Sequence, residues 1–146
     1  MEILIKSQPE SHGVKSRRIK RKLERALRDL GCHDKELSIL FTDDKTISEL
    51  NQQYLGREGP TNVLAFPTSG GPQPRIETPL LGDVVISVET ALRESRMGRD
   101  QLEQTIDRLL IHGILHLLGF DHEGSLAEAE RMEAEENRLM TLMREE

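Results

Sequence analysis

The sequence predicts one α+β domain in which a small mixed sheet of about four strands packs with about five helices. Three observations point there. At 146 residues the chain has the size of a single domain built around one core, and 1–146 is read as one unit. Strand-length apolar runs all fall in the first two-thirds, interleaved with and then followed by helical periodicity, in the order βαβαββααα. Only one extended Gly/Pro-rich segment, 68–79, breaks this pattern, and it is short enough to be a surface loop.

Each element follows from its own residues. Ile3 to Ile5 is a strand-length run. Ile19, Leu23, Ala26, Leu27 and Leu30 recur at helical spacing from Ser16 to Leu30, and Gly31 stands where a helix terminates. Leu37 to Phe41 reads as a strand. Asp43 and Asp44 are placed to cap a short helix that carries Ile47, Leu50 and Tyr54. After the break at Gly56 to Pro60, Thr61 to Pro67 reads as a strand closed by proline. Gly82 to Val88 forms a further strand, with a helix from Glu89. A long helix spans Asp100 to Leu118, and an acidic one runs from Ser125 to the end.

Composition removes several function classes. There are 26 Asp+Glu against 20 Lys+Arg, a formal net charge of −6, which excludes a generally basic nucleic-acid coat. Aromatic residues make up 3%, too few for a base-stacking platform or a membrane belt. The one cysteine, Cys32, permits no internal disulfide and suits a reducing compartment as a small buried hydrophobe. The first six residues carry a charge at Glu2 and too short an apolar run for a signal peptide. Leu109 to Phe120, the longest apolar stretch, falls well short of the roughly 20 residues of a membrane helix. A soluble, cytoplasmic protein is expected. Charge is uneven along the chain: residues 1–31 hold nine Lys/Arg against four Asp/Glu, whereas 123–146 hold eight acids against three Arg. The plain reading is two solvated helix faces, one basic (Arg17, Arg18, Lys20, Arg21, Lys22, Arg25, Arg28) and one acidic.

Three of five histidines fall within eleven residues: His112, His116 and His122. Helical residues four apart share a face about 5–6 Å apart, so His112 and His116 can offer two imidazoles to one ion. Gly119 can end the helix in a left-handed turn and bring His122 toward the same point. Two imidazoles on an apolar helix face are costly unless hydrogen-bonded or coordinated. Three imidazoles with an open fourth position describe a hydrolytic zinc site, located on the penultimate helix and the turn after it. His12 and His33 have no such company and read as surface residues. A zincin protease would place a glutamate directly after its first histidine; here that position is Gly113. Asp121 has two readings: it orients an imidazole or a water at the metal, or it caps the turn.

The block from His112 to His122, His-Gly-Ile-Leu-His-Leu-Leu-Gly-Phe-Asp-His, resembles the H-G-x-L-H-L-x-G-[YF]-D-H signature of the YbeY endoribonuclease family. Pro60 to Pro67 resembles that family's P-T-[DN]-V-L-S-F-P stretch, with Ala65 in place of serine, and Leu81 to Ile86 resembles its L-G-D-[IVL]-[VI]-I strand. The resemblance implies one zinc ion held by His112, His116 and His122, and cleavage of single-stranded RNA. It further implies maturation of the 3′ end of small-subunit ribosomal RNA, ribosome quality control, and contact with the small subunit or ribosome-associated proteins. One segment departs. Family members often carry Y-R-G-[KR], whereas the chain reads Tyr54-Leu55-Gly56-Arg57, with Leu55 in the arginine's place. Arg57 then either supplies the guanidinium for a scissile phosphate, contacts the RNA backbone, or is a solvated loop residue.

The expectation is therefore a zinc-dependent single-strand-specific endoribonuclease with Arg57 and Asp121 in catalysis. Arg17, Arg18 and Arg21 of the basic helix help place the RNA backbone, with affinity that weakens in salt. Two rivals differ in class: a metallopeptidase, disfavoured by Gly113, and a non-catalytic ribosome-associated zinc protein. Structural zinc normally takes four protein ligands, mostly Cys, and Cys32 is 80 positions before His112.

Overall fold

Alternation along one strand decides which side of the sheet is core. In β2 (Glu36–Thr42), Leu37, Ile39 and Phe41 are buried on one face, while Ser38 and Leu40 point to the other. The computed structural model describes residues 2–8, 15–67, 80–120 and 124–144. β1 (Glu2–Ser7) pairs parallel to β2, with Ile3 opposite Leu37 and Ile5 opposite Ile39. β4 (Leu80–Ser87) is parallel to β2 on its other side, and β3 (Val63–Pro67) closes the sheet antiparallel to β4, giving the order β1-β2-β4-β3. The predicted loop 68–79 lies outside the described residues.

Four helices share the Leu37–Ile39–Phe41 face. They are α1 (Ser16–Asp29), α3 (Val88–Gly98), α4 (Leu102–Leu117) and α5 (Leu126–Arg144), and all contribute to one apolar cluster with Ile3, Val84 and Ile86. α2 (Asp44–Leu55) covers part of the opposite face, where Ile47 packs with Leu64 and Val85. The expected caps are in place: Asp43 Oδ1 accepts from the Thr46 amide at 2.9 Å, and Gly31 follows α1 with φ +76°. No helix among the described residues is long and apolar enough to cross a membrane.

One expectation about α1 is corrected. Lys22 was grouped with the solvated basic face, yet it is buried. Its Nζ donates to Asp107 Oδ2 at 2.7 Å and Glu103 Oε1 at 2.8 Å, both on the first half of α4, and Arg18 Nε meets Glu103 Oε1 at 2.7 Å. A lysine stem is long enough to bury its methylenes while its ammonium reaches acceptors on a neighbouring helix. Burial works to lower the Lys22 pKa, but the hydrogen bonds and charges of Asp107 and Glu103 more than reverse it and hold the ammonium above its ordinary value.

Candidate functional site

The placement of α4 begins with Gly113. A Cβ built there would lie 2.9 Å from Val84 Cγ1 and 3.2 Å from its Cγ2, so the helix backbone sits closer to β4 than any larger residue permits. A glutamate after His112 would therefore have to displace the Val84 side chain to fit this packing. Seated this way, α4 turns His112 and His116 toward a cleft of about 770 Å³ beside β3.

The cleft is also lined by Leu55 at the end of α2 and by the segment between α2 and β3, including Arg57 and Thr61. Buried Asn51 anchors that segment twice. Its carbonyl accepts from the Arg57 amide at 3.3 Å, and its Nδ2 donates to the Gly59 carbonyl at 3.1 Å. Asn62 fixes the far end, its carbonyl accepting from the Ser87 amide and its Nδ2 donating to Glu94 Oε2 at 3.0 Å. Arg57 is exposed at this wall, as is the neighbouring Leu55.

The two imidazoles are half-buried and nearly perpendicular, with ring centroids 4.6 Å apart. Their Nε2 atoms face each other at 3.1 Å. Behind them, His112 Nδ1 is 2.6 Å from Glu136 Oε2 on α5. A carboxylate has no proton to give, so Nδ1 donates to it, and in the neutral ring Nε2 is then the nitrogen that carries the lone pair, on the side of His116. Two nitrogens bonded to one tetrahedral zinc at about 2.0–2.1 Å lie about 3.3 Å apart, so the separation and the donor type both fit such an ion.

Beyond His116, α4 ends as expected. Gly119 takes φ +97°, its amide bonds to the His116 carbonyl at 3.0 Å, and Phe120 N returns to the Leu115 carbonyl. Asp121 and His122 lie outside the described residues, as does His12; His33 is exposed. Among the described residues no group of three or more His, Cys, Asp and Glu is gathered for a metal. The structure thus brings together His112, His116 and Arg57. It does not bring Arg17, Arg18 and Arg21 to the cleft, because α1 docks through Arg18 and Lys22 on the opposite half of α4.

Glu136 was passed over in the sequence, where it counted as one acid among many in a solvated tail. Its signal was positional. It lies four residues after Met132 and three or four before Leu139 and Met140, on the buried stripe of α5, and its side chain is only 13% exposed.

Fold and site together define a class: a small α+β domain whose penultimate helix presents paired imidazoles to an open cleft. Comparison with known proteins makes this particular. The family model described as Endoribonuclease YbeY matches residues 4–144. Endoribonuclease YbeY of Syntrophus aciditrophicus is 41% identical over 144 residues, covering 98% of this chain and 90% of the relative. The protein of the same name from Geobacter metallireducens is 39% identical over 147 residues, covering 100% and 98%. The solution structure of TM1509 from Thermotoga maritima superposes with a TM-score of 0.68 at 27% identity, covering 97% of this chain and 88% of that one. The chain belongs to the YbeY endoribonuclease family.

Proposed function

We propose that this chain is a zinc-dependent endoribonuclease that cuts single-stranded RNA in the cytoplasm. Ribosomal RNA, notably the 3′ end of the small-subunit RNA, is its substrate, and it also serves ribosome quality control. The observation that carries this reading is the pair of Nε2 atoms 3.1 Å apart on the wall of a cleft that Arg57 also lines. His112 and His116 would hold the ion, with His122 completing the set after the Gly119 turn. When bound there, zinc supplies Lewis acidity and an acidified water.

The remaining roles belong to the chain itself. Arg57 binds the scissile phosphate through charge-assisted hydrogen bonds, held in reach by the Asn51 anchor of its segment. Leu55 lines the cleft without a charge, so Arg57 carries the phosphate contact on that wall. Asp121 orients an imidazole or the attacking group. Arg17 and Arg21, with Arg18 at their edge, contact RNA or the ribosome at a distance from the cleft, and that contact weakens with salt.

The test is direct. Zinc-loaded protein is given a single-stranded RNA, the matching duplex and an unfolded protein, beside a His116→Ala variant. Cleavage of the single strand alone, abolished together with zinc binding in His116→Ala, is expected. Cleavage of the protein instead, or undiminished RNA cleavage by a rigorously purified His116→Ala sample, would overturn the reading.

A further inference from the structure

We propose that Glu136 is a positioning residue: it fixes the tautomer and ring orientation of His112 so that Nε2 is presented to the cleft as a metal ligand. This rests on the metal-site reading above, but its first consequence concerns the metal-free chain.

Three observations converge. The Glu136 Oε2 to His112 Nδ1 distance of 2.6 Å is that of a short, charge-assisted hydrogen bond. It reaches between α5 and α4, so the imidazole is held by a helix other than its own. Next, the carboxylate sits within the apolar stripe formed by Met132, Leu139, Met140 and Met143, where a charge without partners is costly. A stripe of this kind accepts leucine or methionine more readily, so the acid answers to something other than packing. Finally, a cation stands near its second oxygen: Arg108 Nη1 lies 3.7 Å from Oε1 as an ion-pair contact while donating its hydrogen bond to Asn137 Oδ1 on the same helix. The imidazole N–H supplies the hydrogen bond that orients the carboxylate, and the guanidinium adds only a longer charge contact on its other side.

The consequence is chemical. A histidine left to itself interconverts between two neutral tautomers, only one of which leaves Nε2 free to ligate. By accepting from Nδ1, Glu136 removes that choice before any ion arrives. Carboxylates in this relation to ligating histidines typically govern metal affinity by about 10–100-fold.

Two variants separate positioning from packing. Glu136→Leu suits the apolar stripe and removes the acceptor; Glu136→Gln keeps the shape and an amide oxygen that accepts. In metal-free protein at about pH 8, above the ordinary imidazole pKa of about 6.5, long-range proton–nitrogen spectra of ring-labelled histidine report the tautomer directly. Wild type is expected to show His112 protonated at Nδ1. Glu136→Leu is expected to show a mixture, with an unchanged or higher metal-free unfolding temperature. Competition against a chromophoric chelator should give zinc binding weaker by about 10–100-fold in Glu136→Leu and by less in Glu136→Gln. Should Glu136→Leu fail to fold, Glu136→Gln decides through the same two readouts. A wild-type His112 protonated mainly at Nε2, or wild-type zinc affinity in a folded Glu136→Leu, overturns the proposal. Equal zinc binding by wild type and His116→Ala would instead remove the metal site itself, while the tautomer measurement still judges Glu136.

Discussion

The two halves of α4 each bury polar side chains against a neighbouring helix, and they do so to opposite ends. In the first half, Glu103 and Asp107 meet Lys22 and Arg18 of α1, carboxylates against cations. In the second, His112 is backed by Glu136 of α5, but the opposite side of its ring faces another imidazole and an open cleft. Burial of polar groups is tolerated in the first case because donors and acceptors largely cancel. At the histidines, one carboxylate backs the pair and the two ring nitrogens turned away from it meet at the cleft wall. Matched burial fastens helices; paired imidazoles at a cleft wall prepare a site.

Breaking the first half should therefore cost stability and spare the chemistry. Lys22→Ala leaves Asp107 buried without its cation, and removing one partner of a buried pair typically costs about 3–5 kcal/mol. Asp107 has little to fall back on: its Oδ1 has no hydrogen-bond partner among the described residues, and burial raises its pKa with Lys22 only partly offsetting the rise. A drop of roughly 10 °C in unfolding temperature is expected, with zinc affinity and turnover of the folded fraction unchanged. A stability near wild type would show that the cluster is held by solvent rather than by Lys22. Adding Asp107→Leu to Lys22→Met should recover much of the loss, since apolar isosteres often replace buried ion pairs without penalty.

Much of this was readable from the chain, and the reasons are local. Leu37, Ile39 and Phe41 alternate, and Ile19, Leu23, Ala26 and Leu27 recur on one helix face, so each element announces itself through its immediate neighbours. The histidine pair was readable for the same reason, being a four-residue spacing within one helix. Strand order was not, because the placement of β4 between β2 and β3 depends on pairings across a long separation. Nor were the two roles that charge counting concealed. Lys22 and Glu136 each sit among like-charged neighbours, and each finds its partner on another helix, 85 and 24 residues away.

Arg57→Ala sharpens the comparison from the side of the cleft. Arg57 is exposed on a segment whose hold depends on backbone bonds to Asn51, so its loss should leave the unfolding temperature within about 1 °C of wild type. Turnover on single-stranded RNA should fall by roughly 10–100-fold, the worth of about 1.5–3 kcal/mol for a hydrogen bond to a charged group. Undiminished turnover would remove Arg57 from the phosphate contact and leave it a solvated loop residue.

The smallest effect is expected where α2 and α3 meet at their N-termini. Asp44 Oδ1 accepts from Ser87 Oγ and Thr90 Oγ1, both at 2.6 Å, and Oδ2 from Arg93 at 2.8 Å. Burial pushes the Asp44 pKa upward, and these three donors more than reverse it, leaving the carboxyl below its ordinary value. The unfolded chain therefore holds this proton more tightly than the folded one. The stability Asp44 contributes is complete above its unfolded pKa of about 3.9 and is lost as pH falls through its lower folded value. Asp44→Asn should cost about 1 kcal/mol at neutral pH, a modest figure because Arg93 is more than half exposed. Measured as a difference from wild type, which cancels the opposite tendency of Asp107, that cost should shrink toward zero as the solution is acidified below about pH 4. A difference that stays constant across this range would mean that the hydroxyl bonds to Asp44, and not its charge, join the two helices.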